Sequence, residues 1–362
     1  MTFNAPYSGI ERLLHNLAFS HQLGLQRMFA ALEDDLFAKS FRDIEPRSPV
    51  FVTSLPRAGT TLLLEVLAAH PLFVTHTYRD MPFVLCPMLW DRLSRGFRRT
   101  GGDRPRAHGD GMTVSFDMPE AFEEAAWRAF WPEKYREDRI EPWTGEEDPG
   151  EFGEFFVNHM RKMVALRRAA GAGRAARYLS KNNANIARIR MLIRLFPNAR
   201  IVVPVRHPMQ QVRSLLRQHV NFLKLHAEDR FGKRYMESIG HFEFGEALKH
   251  IDLGGWLGQA GKLSPMDADY WLTYWIYTFE TLLAQQSEQL VFLSYERLCS
   301  EPRDSLLKLA EVLEIDDPMP LLAGADRFRL PERYDPETLT GDAALRDRAL
   351  SVHNAVILAA VA

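Results

Sequence analysis

The stretch Pro49-Val50-Phe51-Val52-Thr53-Ser54-Leu55-Pro56-Arg57-Ala58-Gly59-Thr60-Thr61-Leu62-Leu63-Leu64-Glu65-Val66 reads as a short apolar strand, a tight turn holding Arg57 and Gly59, and an amphipathic helix. A loop running from a strand into a helix N-terminus aims unpaired backbone N–H groups and the positive end of the helix dipole at one spot, where a phosphate or sulfate can sit. Gly59 permits close backbone approach, and Thr60 and Thr61 add hydroxyl donors. Arg57 adds a planar fork of donors with a fixed charge, and Pro56 stiffens the turn. The segment therefore predicts an anion cradle.

The nucleotide-binding P-loop asks for Gly, four residues, Gly-Lys and then Ser or Thr; this segment lacks the first Gly and the Lys, so ordinary ATP chemistry is disfavoured. A second anion site is predicted at Ala199-Arg200-Ile201-Val202-Val203-Pro204-Val205-Arg206-His207-Pro208, a buried-type strand ending in Arg206 with Pro208 placed to open the next helix. Ser214 then falls in the second turn of that helix, where its hydroxyl and the Arg206 guanidinium could bracket one phosphate. Together the two sites suggest a ligand with two separated anionic groups.

Four short β-rich runs, 51–54, 177–180, 200–205 and 289–294, are each followed by a loop and a helix-like segment, which predicts a parallel sheet in an α/β fold. Apolar residues at helical spacing between 10 and 40 predict a helical lead-in over 1–48. A long Arg-rich and aromatic stretch, about 72–176, and a second without a clean period, about 224–267, read as insertions that shape an acceptor pocket on a single domain spanning 1–362. The apolar tail 355–362 is too short to cross a bilayer and is expected to pack as a terminal helix.

The composition suits a globular chain: 362 residues, 46% hydrophobic, with 45 Lys plus Arg against 47 Asp plus Glu for a formal charge of −2. That balance argues against a general nucleic-acid binder, so any polyanion site must be local. Cys86 and Cys299 stand far apart and outside any metal-ligand spacing, which predicts neither a disulfide framework nor a metal site. No leader pattern and no run near the length of a membrane span is present, and a cytoplasmic location is expected.

At the first loop the chain resembles the sulfotransferase family that uses 3′-phosphoadenosine 5′-phosphosulfate, especially the branch with Pro-Arg-Ser-Gly-Thr-Thr, with Ala58 standing in place of that Ser. The resemblance implies a P-loop-like three-layer fold with a central parallel sheet and helical insertions. It also implies that Arg57, Ala58, Gly59, Thr60 and Thr61 hold the 5′-phosphosulfate, while Arg206 and Ser214 hold the 3′-phosphate. Tyr178-Leu179-Ser180-Lys181-Asn182-Asn183 and the following Phe196-Pro197-Asn198-Ala199-Arg200 look like the family's strand, lysine and approach to the second phosphate strand, which makes Lys181 a sulfonate contact. Leu293-Ser294-Tyr295-Glu296-Arg297-Leu298 is similar to a family segment whose aromatic, here Tyr295, lies near the donor pocket.

Sulfuryl transfer to a hydroxyl is an in-line displacement in which charge grows on the departing phosphate oxygen, and Lys181 and Arg57 are suited to meet it without a metal. The acceptor hydroxyl also needs a base. His108 is the first expectation, as an exposed His in the flexible loop 106–111, followed by His76 and Asp80 in the turn after the first helix; a Glu that some branches carry there is missing. Glu120, Glu123 and Glu124 read as first-turn charges that favour a helix dipole. Arg92, Arg95, Arg98, Arg99, Arg104 and Arg106 form a basic run, and Trp127, Trp131 and Trp143 could stack on sugar or aryl rings, whereas Trp271 and Trp275 at one-turn spacing read as core. The expected acceptor is a hydroxyl on a glycan or small metabolite. The competing readings are a nucleotide-binding protein without turnover and an ATP-dependent kinase.

Overall fold

The computed structural model describes residues 18–19, 23–95, 104–105, 113–114, 119–171, 173, 176–261, 263–285, 287–330 and 341–362. Among these, five strands form a central sheet: β1 (Val50–Val52), β2 (Phe73–Val74), β3 (Arg177–Lys181), β4 (Arg200–Val205) and β5 (Leu290–Ser294), in the order β2-β3-β1-β4-β5. Every pairing is parallel, with Val52 opposite Lys181 on one side and Val202 on the other, and Val205 opposite Ser294. All carboxyl ends of the strands therefore open on one edge of the sheet, the edge at which open α/β folds bind ligands.

Alternation along each strand sends apolar side chains to both faces, as a parallel sheet covered on both sides requires. Val50, Val52, Leu179, Val202 and Leu293 meet Leu63 and Leu67 of α2 (Thr60–Ala68) and Leu306 and Leu309 of a helix over Pro302–Val312. Phe51, Tyr178, Ile201 and Phe292 belong to the opposite core, with Phe156 of α4 (Gly150–Ala169), Phe196, and Trp275 and Phe279 of α6 (Ala268–Ala284). Pro204 is tolerated inside β4 because β1 has by then left the ladder; the Pro204 carbonyl accepts Ser54 Oγ at 2.7 Å instead.

The lead-in contributes α1 (Gly24–Leu36), pinned by the wholly buried Lys162 of α4, whose Nζ lies 3.0 Å from Glu33 Oε2 and 2.6 Å from Asp34 Oδ1. The stretch 72–176 is less of an insertion than its sequence suggests. It supplies the edge strand β2, α3 (Glu124–Phe130) and α4, so the layer covering one face of the sheet comes from it. The stretch 224–267 holds the end of α5 (Pro208–Glu228), a helix over Arg230–Ser238 and short turns that run back to the sheet edge. The C-terminal α7 (Ala343–Leu358) packs on α6, and beyond it Val361 N and Ala362 O pair with β5.

Candidate active site

The loop from β1 to α2 is rigid because its polar groups are bonded into the fold. Gln211 Nε2 donates to the carbonyls of Leu55 (3.0 Å) and Pro56 (2.9 Å), and Trp275 Nε1 holds Gln211 Oε1 at 2.9 Å. Arg57 (φ 70°) and Gly59 (φ 84°) both take the left-handed backbone region, which turns the chain sharply into α2. Gly59 is the N-cap, and among the described residues no side chain caps the helix or competes for the first-turn amides of α2. A Cβ on Gly59 would lie 2.8 Å from Tyr295 Cε2, so the ring of Tyr295 rests on the loop.

At the β4 exit, Pro208 opens α5 at its first position, and Arg206 turns toward the loop. Its Nη1 donates to the Arg57 carbonyl at 3.0 Å, and its guanidinium carbon sits 4.9 Å from the Tyr295 ring centroid. Arg57 Nε donates to Ser214 Oγ at 3.1 Å. Arg57, Gly59, Arg206, Ser214 and Tyr295 are thus brought together at the carboxyl ends of β1, β4 and β5. Ser214 and Arg206 both meet Arg57, the first at its Nε and the second at its carbonyl. Burial pushes the Tyr295 hydroxyl up to about 12, so it stays protonated.

On the other flank of β1, Lys181 ends β3 and is buried. Asn182 caps the next turn, accepting Ala184 N at 3.0 Å, and donates to Glu124 Oε2 at 2.7 Å. Asn183 links to the cradle through Thr60 Oγ1 (3.2 Å to Asn183 Oδ1), while Thr53 Oγ1 holds the Asn183 carbonyl at 3.2 Å. Glu124 takes both arms of Arg188, at 2.9 and 3.0 Å, and that guanidinium lies between Trp127 and Trp143, 4.5 Å from each ring centroid. Glu123 accepts from Trp127 Nε1 and Asn185 Nδ2.

Glu124 does stand in the first turn of α3 with Glu123 at its N-cap, and both are in addition buried acceptors that fix the turn after Lys181. The tryptophans differ from one expectation. Trp127, Trp143, Trp271 and Trp275 are all buried, the first two as the walls around Arg188.

His76 and Asp80 are brought to each other beyond β2. His76 Nε2 lies 2.8 Å from His159 Nε2 and its Nδ1 3.3 Å from Asp80 Oδ2. Asp80 also takes Thr77 N at 2.8 Å and Arg167 Nη2 at 3.0 and 3.2 Å. Burial raises the Asp80 pKa, but the His76 hydrogen bond and the Arg167 charge outweigh it and hold the carboxyl below its ordinary range. Burial keeps His159 neutral. His76 Nε2 and both oxygens of Asp80 are thus engaged inside the protein. His108 lies outside the described residues, as do Arg98, Arg99 and Arg106.

Sequence reasoning missed Asn183, Gln211 and Glu243. Glu243 Oε1 accepts Asn183 Nδ2 at 3.3 Å, and its Oε2 lies 3.4 Å from His241 Nδ1. Burial raises the Glu243 pKa; the hydrogen bond and charge of His241 and the charge of Lys181 overcome this and bring it to about 2. Cys86 and Cys299 form no disulfide. Among the described residues no group of three or more His, Cys, Asp or Glu side chains could hold a metal ion, and no helix is long and apolar enough to cross a membrane.

A parallel α/β sheet with a strand-loop-helix turn at its central strand, flanked by a buried lysine and a second arginine, defines a P-loop-like fold. The chain belongs to the sulfotransferase family, whose model matches residues 49–243 and so spans β1 to β4, both arginines and Lys181. Its fold is similar to that of sulfotransferase STF9 from Mycobacterium avium, with 14% identity, 97% of this chain and 87% of that chain covered, and a TM-score of 0.53. It is also similar to sulfotransferase STF1 from Mycobacterium tuberculosis H37Rv, with 13% identity, 96% and 88% coverage, and a TM-score of 0.52. Comparison with curated protein sequences gave no match.

Proposed function

We propose that the protein transfers a sulfuryl group from 3′-phosphoadenosine 5′-phosphosulfate to an acceptor hydroxyl on a glycan or small metabolite. The observation that carries this reading is the meeting of Arg57, Arg206 and Tyr295 beside the uncapped N-terminus of α2. The backbone amides of 58–61 and the Thr60 and Thr61 hydroxyls bind the 5′-phosphosulfate, and Arg206 with Ser214 binds the 3′-phosphate as the ligand enters and releases their mutual contacts. Arg206 Nε has no hydrogen-bond partner among the described residues, which leaves donor capacity on that group.

In the reaction the acceptor oxygen attacks sulfur while the bond from sulfur to the bridging oxygen breaks, and negative charge grows on that oxygen. Lys181 and Arg57, fixed by the surrounding fold, stabilise it where it develops. Replacing either by Ala lowers turnover by on the order of a hundredfold or more.

Calorimetry with 3′-phosphoadenosine 5′-phosphate (PAP) against ADP tests the donor. The expected result is a strong preference for PAP that Arg206→Ala abolishes; equal affinity for the two nucleotides refutes the reading.

A further inference from the structure

Resting on the sulfotransferase reading above, we infer that Asn183 is a positioning residue that holds the Thr60 hydroxyl proton away from the donor. This brake lowers the affinity for both the donor and PAP and so speeds product release. Asn183 stands where β1, α2 and the segment 240–246 meet. Its backbone carbonyl accepts Thr53 Oγ1 at 3.2 Å, and the preceding Asn182 N donates to the Val52 carbonyl at 3.0 Å. Its side chain reaches α2 through Thr60 and the segment 240–246 through Glu243. That segment is itself clamped: a Cβ on Gly240 would lie 2.4 Å from Glu124 Cγ, and His219 Nδ1 and His226 Nδ1 of α5 accept Gly245 N and Glu246 N, each at 3.2 Å.

The polarity of this hydrogen-bond chain is fixed from the Glu243 end. Glu243 Oε1 lies 3.3 Å from Asn183 Nδ2, and its Oε2 3.4 Å from His241 Nδ1. An ionised carboxylate only accepts, so the Asn183 amide turns its nitrogen to Glu243 and its oxygen to Thr60. Thr60 Oγ1 stands 3.2 Å from that oxygen, which carries no hydrogen, so the hydroxyl spends its single proton there. Toward any other neighbour Thr60 Oγ1 offers lone pairs, the wrong polarity for an anion. Asn183 and Thr60 are both buried, and the backbone at 183 is tied to β1, so the amide cannot follow the hydroxyl when it turns.

Donor binding therefore rotates the Thr60 O–H from Asn183 Oδ1 to an oxygen of the 5′-phosphosulfate; the proton stays on Thr60 throughout. A hydrogen bond to an anion is roughly twice as strong as a neutral one, so the exchange goes forward. Its yield is reduced by the surrendered bond and by the buried Asn183 oxygen left without its donor. The same cost applies to PAP, whose 5′-phosphate occupies the same loop. A site held away from its binding-competent arrangement shows a lower apparent affinity, and a substitution that removes the competing arrangement restores it. Such differences fall mainly on the dissociation rate, so the brake acts on product release. An asparagine that merely braced the loop would weaken binding when removed; one that withholds the proton strengthens it.

The test measures PAP and ADP affinity by calorimetry and PAP dissociation by stopped flow for wild type, Asn183→Leu, Glu243→Gln and Thr60→Val, and for the first two variants combined with Thr60→Val. Asn183→Leu takes away the competing oxygen and is expected to bind PAP about tenfold more tightly through slower dissociation, although its urea midpoint falls. Glu243→Gln lets the amide present either end to Thr60 and is expected to gain about threefold or more; it decides the question if Asn183→Leu does not fold. Thr60→Val weakens PAP binding. In its background the gain of Asn183→Leu disappears, and that of Glu243→Gln shrinks to the part due to the lost charge. Unchanged or weaker PAP binding by Asn183→Leu, or by Glu243→Gln where the former does not fold, overturns the inference, as do gains that persist in full beside Thr60→Val. Equal affinity of the wild type for PAP and ADP overturns the donor reading instead, and the same comparisons made with ADP, whose phosphates the same loop takes, then decide the inference. A wild type that binds neither nucleotide overturns both.

Discussion

Gly59→Ala tests the donor loop at its tightest point. The substitution has two separable costs. Holding an alanine at φ 84° is unfavourable by about 1–2 kcal/mol, because Cβ then crowds the backbone. The new methyl also lands 2.8 and 2.9 Å from Tyr295 Cε2 and Cδ2, well inside the roughly 3.5–4.0 Å of a carbon–carbon contact, so the ring must withdraw by about 1 Å. Overpacking of that kind costs about 1–3 kcal/mol, and the ring cannot withdraw without disturbing the Arg206 guanidinium stacked on it. The expected loss is therefore about 2–5 kcal/mol in equilibrium urea unfolding, with weakened PAP binding. Repeating Gly59→Ala in a Tyr295→Ala background removes the collision but not the backbone cost, leaving about 1–2 kcal/mol. An unchanged midpoint for Gly59→Ala, or the same penalty in both backgrounds, refutes the placement of Tyr295 on the loop.

Arg188→Leu leaves Glu124 buried without its cation and is expected to cost about 3–5 kcal/mol by urea unfolding, whereas a surface arginine such as Arg95 loses less than about 1 kcal/mol on truncation. Gly240→Ala pushes the backbone away from Glu124 and is expected to lower kcat several-fold more than it weakens PAP binding, which steady-state kinetics beside calorimetry will show. Acid destabilises the fold: burial brings His250 and His353 to about 4 from an ordinary 6.5, so the unfolded chain binds more protons between those values. Stability is full above about pH 6.5 and falls as the pH drops to 4, by up to about 3 kcal/mol for each histidine; His353→Leu should flatten the thermal-shift profile over that window.

What could be read in the sequence was whatever is encoded locally. β1, β4 and β5 announce themselves by apolar runs rich in Val, Leu and Phe, β3 only by a short β-rich run, and the loop by Arg57, Gly59 and two threonines at a strand-to-helix turn. β2 has two residues, too short to show any period, so the layer around it read as an insertion. Glu123 and Glu124 read as dipole charges because their real partners, Arg188, Asn182 and Asn185, lie some sixty positions away in the chain. The same holds for His76, whose partner His159 comes from α4, and for Glu243, whose short segment His-Phe-Glu carries no pattern until Gly240 and α5 fix it against Asn183.

The loop's departure from the family pattern becomes intelligible on the same terms. Ala58 is wholly buried, so a serine there would bring a hydroxyl into a closed space, while the anion donors of the proposed function are the backbone, Arg57, Thr60 and Thr61. Arg57 holds a left-handed backbone at a cost of about 1 kcal/mol, and it is kept there from three sides: Gln211 on the two preceding carbonyls, Ser214 on Nε, and Arg206 on the Arg57 carbonyl itself. One arginine therefore sets the peptide geometry of the other. Losing Arg206 removes a charge and also unpins the first loop, and the two effects separate by ionic strength. The charge contribution fades as salt screens it, whereas the contribution from a loosened cradle persists, so Arg206→Ala retains a deficit in PAP affinity at about 1 M salt. A deficit that vanishes there means the arginines act as independent charges.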